Sequence, residues 1–243
     1  MKRFSVAVLG KGRMGQLVAE QLRSGPHQFA GFITEETNPS DVENMQVDVV
    51  VDFSIPEALE AWLPEIINSK AGLITGTTGL NDEQQKMLEK AADKISVLQA
   101  SNFSIGVSRM KALVRMLSAS IGPQCEIELI EKHHNQKVDA PSGTAIELAD
   151  NALDELGADW KWSADYPVRG KRPDHVIQIH ALRGGNITGE HEMLFILPDE
   201  VISVRHTALN RKIFAQGAVH SLEFILGKSN GFYSLEDTFN TTK

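Results

Sequence analysis

With 243 residues, the chain is long enough for one large domain or two modest ones, each with a buried core. Hydrophobic residues at 42% and charged residues at 23% are ordinary globular usage, which excludes wholesale disorder and fibrous structure. A net charge of -8 argues against a nucleic-acid partner, and Cys125, the single cysteine, excludes an intrachain disulfide and a thiolate zinc site.

The first residues lead into a short apolar run ended by Gly10, too brief for a membrane span or a signal-peptide core. The expectation is a mature chain starting at Met1, cytoplasmic and without a membrane partner. Residues 4–9 read as a strand, 10–15 as a glycine-rich turn and 16–23 as a helix with apolar residues at Leu17, Val18 and Leu22. Residues 29–33 form a second strand, and 47–53 is a continuous β-branched run suited to burial on both faces of a parallel sheet. Pro56 opens a helix striped by Ala58, Leu59, Trp62, Leu63, Ile66 and Ile67, with Asn68-Ser69 as its stop. Strands at 72–75 and 96–98 flank a helix over 81–92, for which Asn81 is the expected N-cap.

Up to about residue 103 the expectation is a doubly wound, Rossmann-like α/β domain. The pattern then changes. Strands are expected at 126–133, 176–182, 193–197 and 201–206, with helices at 142–156 and 213–226. Few helices among long strands imply an α+β domain with an open mixed or antiparallel sheet.

Gly10-Lys11-Gly12-Arg13-Met14-Gly15 matches G-x-G-x-x-G between a strand and a helix. Its glycines permit a tight turn, approach to a pyrophosphate and helix-strand packing, and the helix start offers N–H groups to the anion. Apart from that context the hexapeptide reads only as a glycine-rich turn. Glu35, at the end of the second strand, is placed to accept hydrogen bonds from adenosine ribose hydroxyls, which favours NADH slightly. Lys11 and Arg13 supply charge for a 2'-phosphate, so NADPH is also expected to serve; Glu35 reads otherwise as a solvated strand-end charge. Gly76-Thr77-Thr78-Gly79 and Ala100-Ser101-Asn102-Phe103 follow the fourth and fifth strands, where open sheets bind ligands, with Phe103 a candidate to pack on a nicotinamide ring. Ordinary turn chemistry is the competing reading of both.

The densest chemistry lies in residues 131–145. His133, His134 and Lys137 crowd one loop, and imidazole and a lysine among cations are both suited to proton donation. Behind Pro141, Ser142-Gly143-Thr144 opens a helix toward an anion, most simply a substrate carboxylate, and Ser142 doubles as N-cap. A histidine pair with one member buried and the other exposed is the structural alternative. Zinc is a weaker one, since strand neighbours point to opposite faces and no HExxH spacing exists, so no metal is expected.

The loops Gly10 to Gly15 and Gly76 to Gly79, the run from Asn102 to Val107, the segment from Glu131 to Thr144 and the run from Arg183 to Glu192 together resemble dihydrodipicolinate reductases in order and spacing, nearly end to end. The His-His to Ser-Gly-Thr segment carries most of that resemblance, although the family often has one more residue in its first glycine loop. The resemblance implies a dinucleotide-binding domain of residues 1–104, a substrate-binding and oligomerisation domain of 105–213, and a segment of 214–243 returning to the first. It implies reduction of 4-hydroxy-tetrahydrodipicolinate to tetrahydrodipicolinate with NADH or NADPH, in diaminopimelate and lysine biosynthesis. By position, His133 matches the catalytic histidine and Lys137 the proton donor, while His134, Gly143 and Thr144 match contacts to substrate carboxylates. The expected partners are a small dicarboxylate and copies of the chain in a homotetramer. The basic run Arg169-Gly170-Lys171-Arg172 reads as a solvated loop or a screen for the dicarboxylate. Two rivals share the Rossmann start: an imine or amino-acid dehydrogenase such as an aspartate dehydrogenase, and a redox-sensing regulator without turnover.

Overall fold

The computed structural model describes residues 3–165 and 170–239, so Arg169 of the basic run lies outside the described residues. The chain divides into two compact units, one of Met1–Ser104 with Lys212–Lys243 and one of Ile105–Arg211.

In the first unit the order is β1 (Ser5–Leu9), α1 (Arg13–Ser24), β2 (Gln28–Ile33), α2 (Pro39–Met45), β3 (Val49–Asp52), α3 (Pro56–Asn68), β4 (Gly72–Thr75), α4 (Asp82–Ala91) and β5 (Ser96–Gln99). After the second unit the chain returns through α7 (Lys212–Leu226) and β11 (Gly231–Tyr233). All six strands are parallel, in the order β11-β5-β4-β3-β1-β2. Alternation along each strand feeds two cores: Ala7, Leu9 and Val50 pack with Leu59, Leu63 and Leu88, while Val6, Val8, Val49 and Val51 pack with Val18, Leu22, Ala218 and Leu222. Helices therefore cover both faces, as the continuous apolar runs require. Strand order reverses between β1 and β3, so their carboxyl ends part and leave a crevice.

The second unit holds α5 (Ile105–Ile121), β6 (Glu126–His133), α6 (Gly143–Leu153), β7 (Lys161–Ser163), β8 (Val176–Arg183), β9 (Glu190–Ile196) and β10 (Val201–Thr207). Its sheet is mixed, in the order β10-β9-β6-β8-β7, with β6 parallel to β8 and antiparallel to β9. One face is apolar and covered: Met110, Val114, Leu148 and Ala152 pack on Ile127, Leu129, Ile177 and Phe195. The other presents Glu126, Glu128, Ile130 and Lys132 of β6, none of them fully buried. The 17-residue α5 is absent from the sequence-based expectation; its buried stripe of Val107, Met110 and Val114 is blurred by Leu113 and Met116, which are exposed. α2, β7 and β11 are also additions, each too short to carry a period.

Candidate active site

The glycine loop sits at the parted carboxyl ends of β1 and β3. A side chain on Gly15 would lie 2.0 Å from the Gly10 carbonyl oxygen, and one on Gly10, where φ is +91°, would lie 2.9 Å from the Phe53 carbonyl oxygen. Nothing lies within 4 Å of where a Gly12 side chain would be, so this glycine leaves room for a ligand. α1 begins at Arg13 with Gly12 as N-cap, so Arg13, Met14 and Gly15 belong to the helix rather than to the expected turn. The short loop thus delivers the first-turn N–H groups of α1, with no side-chain cap, to the crevice.

Beside it lies a cleft of about 1100 Å³ lined by Gly10, Lys11, Gly12, Glu35, Phe53 and Trp62, among others. Glu35 is exposed at its rim, and Lys11 stands over the Phe32 ring. Glycine cradle, helix start and strand-end acid together fit a dinucleotide.

At the next strand ends, the wholly buried Asp52 accepts from the Ser54 N–H and hydroxyl at 3.0 and 2.5 Å and from the Thr75 hydroxyl at 2.6 Å. Thr77 is buried and accepts from the Ser54 N–H at 3.1 Å, whereas Thr78 is exposed. A Gly76 side chain would strike the Phe53 ring. Ala100 donates its N–H to the Thr75 carbonyl, Ser101 is exposed, and Asn102 caps the Ser104 N–H. Phe103 corrects an expectation: its ring is 1% exposed, edge-on to Phe53 in the core, so it is not free to pack on a nicotinamide.

In the second unit, β6 alternation puts Glu131 and His133 on the covered face. The His133 Nδ1 lies 2.5 Å from Glu131 Oε2. Arg183, opposite His133 in the β6-β8 register, grips the same carboxylate with both terminal nitrogens at 2.8 and 2.7 Å, and the Ser142 N–H donates to it at 3.2 Å. Burial is the strongest single influence on Glu131 and favours its neutral form; the hydrogen bonds and charges of His133 and Arg183 together exceed it and hold the carboxyl at about 2. Across the sheet from Glu131 lies buried His191, whose ring is 5.2 Å from that of His133. Burial first, then the His133 charge, pushes His191 down to about 4.

The Ser142 hydroxyl lies 3.0 Å from His191 Nε2 and accepts from the Ala145 N–H, so this N-cap is fully engaged inside the protein. Gly143 and Thr144 form the open first turn of α6, Gly143 with free space where a side chain would stand. Lys137 pairs with both Asp139 oxygens at 2.8 Å, and Arg211 Nη2 lies 3.3 Å from His134 Nε2. His133, Ser142 and the Lys137 loop are therefore brought together, around Glu131, Arg183 and His191, whose pairings the sequence did not disclose. The signal was the i, i+2 spacing of Glu131 and His133 on a strand. Among the described residues no group of three His, Cys, Asp or Glu stands ready to hold a metal.

A doubly wound parallel sheet with a glycine cradle, joined in one chain to a mixed sheet carrying paired His and Lys chemistry, defines a Rossmann-type oxidoreductase. Family models described as dihydrodipicolinate reductase, N-terminus and C-terminus, match residues 4–103 and 106–239. The chain belongs to the dihydrodipicolinate reductase family. It is 36% identical over 240 residues to the 4-hydroxy-tetrahydrodipicolinate reductase of Clostridium novyi (strain NT), covering 95% of both chains. With that of Pseudoalteromonas atlantica it shares 39% over 210 residues, 85% of this chain and 78% of the relative. In fold it is similar to a dipicolinate-bound dihydrodipicolinate reductase from Paenisporosarcina sp. TG-14, with TM-score 0.80 and 23% identity over 97% of this chain and 99% of that one. A scyllo-inositol dehydrogenase from Lactobacillus casei with bound NAD(H) shares the fold more distantly, with TM-score 0.57 and 13% identity over 98% and 92% of the two chains.

Proposed function

We propose that this protein reduces 4-hydroxy-tetrahydrodipicolinate to tetrahydrodipicolinate with NADH or NADPH, in diaminopimelate and lysine biosynthesis. The observation that carries the reading is the meeting of His133, the Lys137 loop and the open start of α6 in one unit of a chain whose other unit holds a dinucleotide cradle. A bound nicotinamide supplies hydride. His134 and the first-turn N–H groups of Gly143 and Thr144 hold substrate carboxylates, with Ser142 fixing that turn from behind. That hydride would go to C4 of the unsaturated ring left by loss of the 4-hydroxyl as water, and Lys137 or His133 would give the proton to the adjacent carbon.

The domain roles follow: residues 1–104 and 214–243 bind the dinucleotide, and 105–213 bind substrate and build the oligomer. Gly10 to Gly15, Gly76 to Thr78 and Ala100 to Asn102 line the cofactor path, with Phe103 contributing backbone. Glu35, Glu36, Glu57 and Glu65 line the adenosine cleft and Lys11 alone among its described lining residues is cationic, which supports a preference for NADH over a 2'-phosphate. The outward face of the second sheet, with Leu182 and Val201 exposed, supports a homotetramer built through it. The lone thiol and the biosynthetic substrate support a cytoplasmic location.

The test follows nicotinamide absorbance with each cofactor and substrate freshly made from pyruvate and aspartate semialdehyde. Substrate-dependent oxidation is expected, with the higher kcat/KM for NADH. In Lys137→Ala, kcat falls about a hundredfold or more while cofactor affinity is kept. Cofactor binding without oxidation by the wild type would transfer the assignment to another dehydrogenase or a sensor, and full turnover by the variant would remove Lys137 as the acid.

A further inference from the structure

His133 has two ring nitrogens, and the structure spends one of them. Nδ1 points at a carboxylate that is itself wholly buried and held from three sides, by His133, by both arms of Arg183 and by the Ser142 N–H. Because a carboxylate only accepts, Nδ1 carries a hydrogen in either protonation state of the ring. Nε2 is then the nitrogen left for exchange with a ligand. It lies beside Gly189, whose missing side chain would stand 3.1 Å from it.

We propose that Glu131 is a positioning residue for the reduction. Locked by Arg183, it fixes the His133 tautomer and turns Nε2 toward the opening that Gly189 leaves for the reacting ring. The inference rests on the reading of His133 as a group that meets substrate. The same guanidinium reaches further: its Nη2 also donates to the Asp139 carbonyl at 2.7 Å, and Asp139 is the residue that pairs with Lys137. One arginine thus ties the histidine's orienting acid to the loop that presents the lysine. Neither His133 nor Lys137 is set by its own backbone alone; both are referenced to Arg183.

The hydrogen-bond geometry dictates what Glu131→Gln must do. The Oε1 position faces two donors, Ser142 N–H and Arg183 Nη2, so it must remain an oxygen. The amide NH2 is then forced to the Oε2 position, against Arg183 Nη1 and His133 Nδ1, and only the histidine can respond, by giving up its Nδ1 hydrogen.

Nitrogen-15 histidine spectra of the intact protein read this directly. The wild type should show His133 with Nδ1–H, and Glu131→Gln should move the neutral ring to Nε2–H. With substrate, kcat should fall about a hundredfold in Glu131→Gln at little change in cofactor KM, and Glu131→Asp should recover part of it. Gly189→Ala leaves Glu131 in place and crowds Nε2, and should lower kcat by about tenfold with the tautomer unchanged. An unchanged tautomer in Glu131→Gln, or full turnover in both Glu131→Gln and Gly189→Ala, overturns the proposal while the wild type still reduces its substrate. A wild type that shows the Nδ1–H signature but no turnover would instead remove the assigned reaction.

Discussion

Asp52 in the first unit and Glu131 in the second are both wholly buried, both near the carboxyl end of a central strand, and both accept several hydrogen bonds. They nevertheless titrate in opposite directions. Burial pushes Asp52 above its ordinary value, and the Ser54, Thr75 and Thr77 donors only moderate that rise. Burial acts on Glu131 in the same sense, but an imidazole and a guanidinium overcome it and bring the group to about 2. At Asp52 neutral donors only moderate the rise that burial imposes, whereas at Glu131 charged ones reverse it. The first unit has built a polar pin, the second a fixed charge next to proton chemistry.

The largest expected effect comes from removing the charge that makes the two differ. Arg183→Leu removes the guanidinium and leaves the buried Glu131 carboxylate with only His133 and the Ser142 N–H, a loss of a buried charge partner that costs about 3–5 kcal/mol. Trp160 and Trp162 lie in the second unit and Trp62 in the first, so urea unfolding followed by fluorescence in a Trp62→Phe background reads the second unit alone. Adding Glu131→Leu should restore much of the loss. A deficit below about 1 kcal/mol in the single variant would mean that Glu131 simply takes a proton, and the contrast between the two units would collapse.

Next in size is the acid response of the second unit. His191 falls from 6.5 to about 4 on folding, so the folded state favours its neutral form. Its contribution to stability is complete above pH 6.5 and is lost as the pH drops toward 4, because there the unfolded chain takes up a proton that the folded protein refuses. The loss over that window amounts to about 3 kcal/mol. Glu131 takes over below, losing its contribution as pH falls from 4.5 toward about 2. His206, also lowered by burial, acts in the same sense as His191. His191→Gln should therefore flatten most, though not all, of the slope between pH 6.5 and 4 in the tryptophan signal. An unaltered slope would place the acid sensitivity elsewhere.

How the two units differ also governs what the sequence discloses. Local order was legible in the first: Pro56 starts α3, and Asn81 caps α4 with Gln84 reciprocating, each a signal within four positions. In the second unit His133, Lys137 and Ser142 were legible because they share one stretch of chain. Their supports were not, since Arg183 meets Glu131 across 52 positions and His191 meets Ser142 across 49. Those meetings depend on the register of β6 against β8 and β9, which no local pattern encodes. α5 escaped for a different reason: apolar residues lie on its exposed side as well as its buried one, so the stripe has no clean edge.

The smallest expected effect is the one that tests the polar pin. Asp52→Asn removes a group whose charge the fold already resists, and an amide of the same shape with its oxygen in the Oδ1 position keeps an acceptor for the Ser54 N–H and hydroxyl while the Thr75 hydroxyl can turn to receive its NH2. Stability near neutral pH should change by less than about 1 kcal/mol. Its pH dependence should change in a definite sense. Since the folded carboxyl titrates above 3.8, the wild type loses stability from Asp52 as the pH rises through that value, until the folded group itself ionises. Asp52→Asn should lack that loss, and its advantage over the wild type should grow with pH across the same interval, read through Trp62 in a background lacking the other two tryptophans. A large loss at neutral pH would instead show that Asp52 works as an anion, held by a partner beyond its hydroxyl neighbours, and the two buried carboxyls would then be alike.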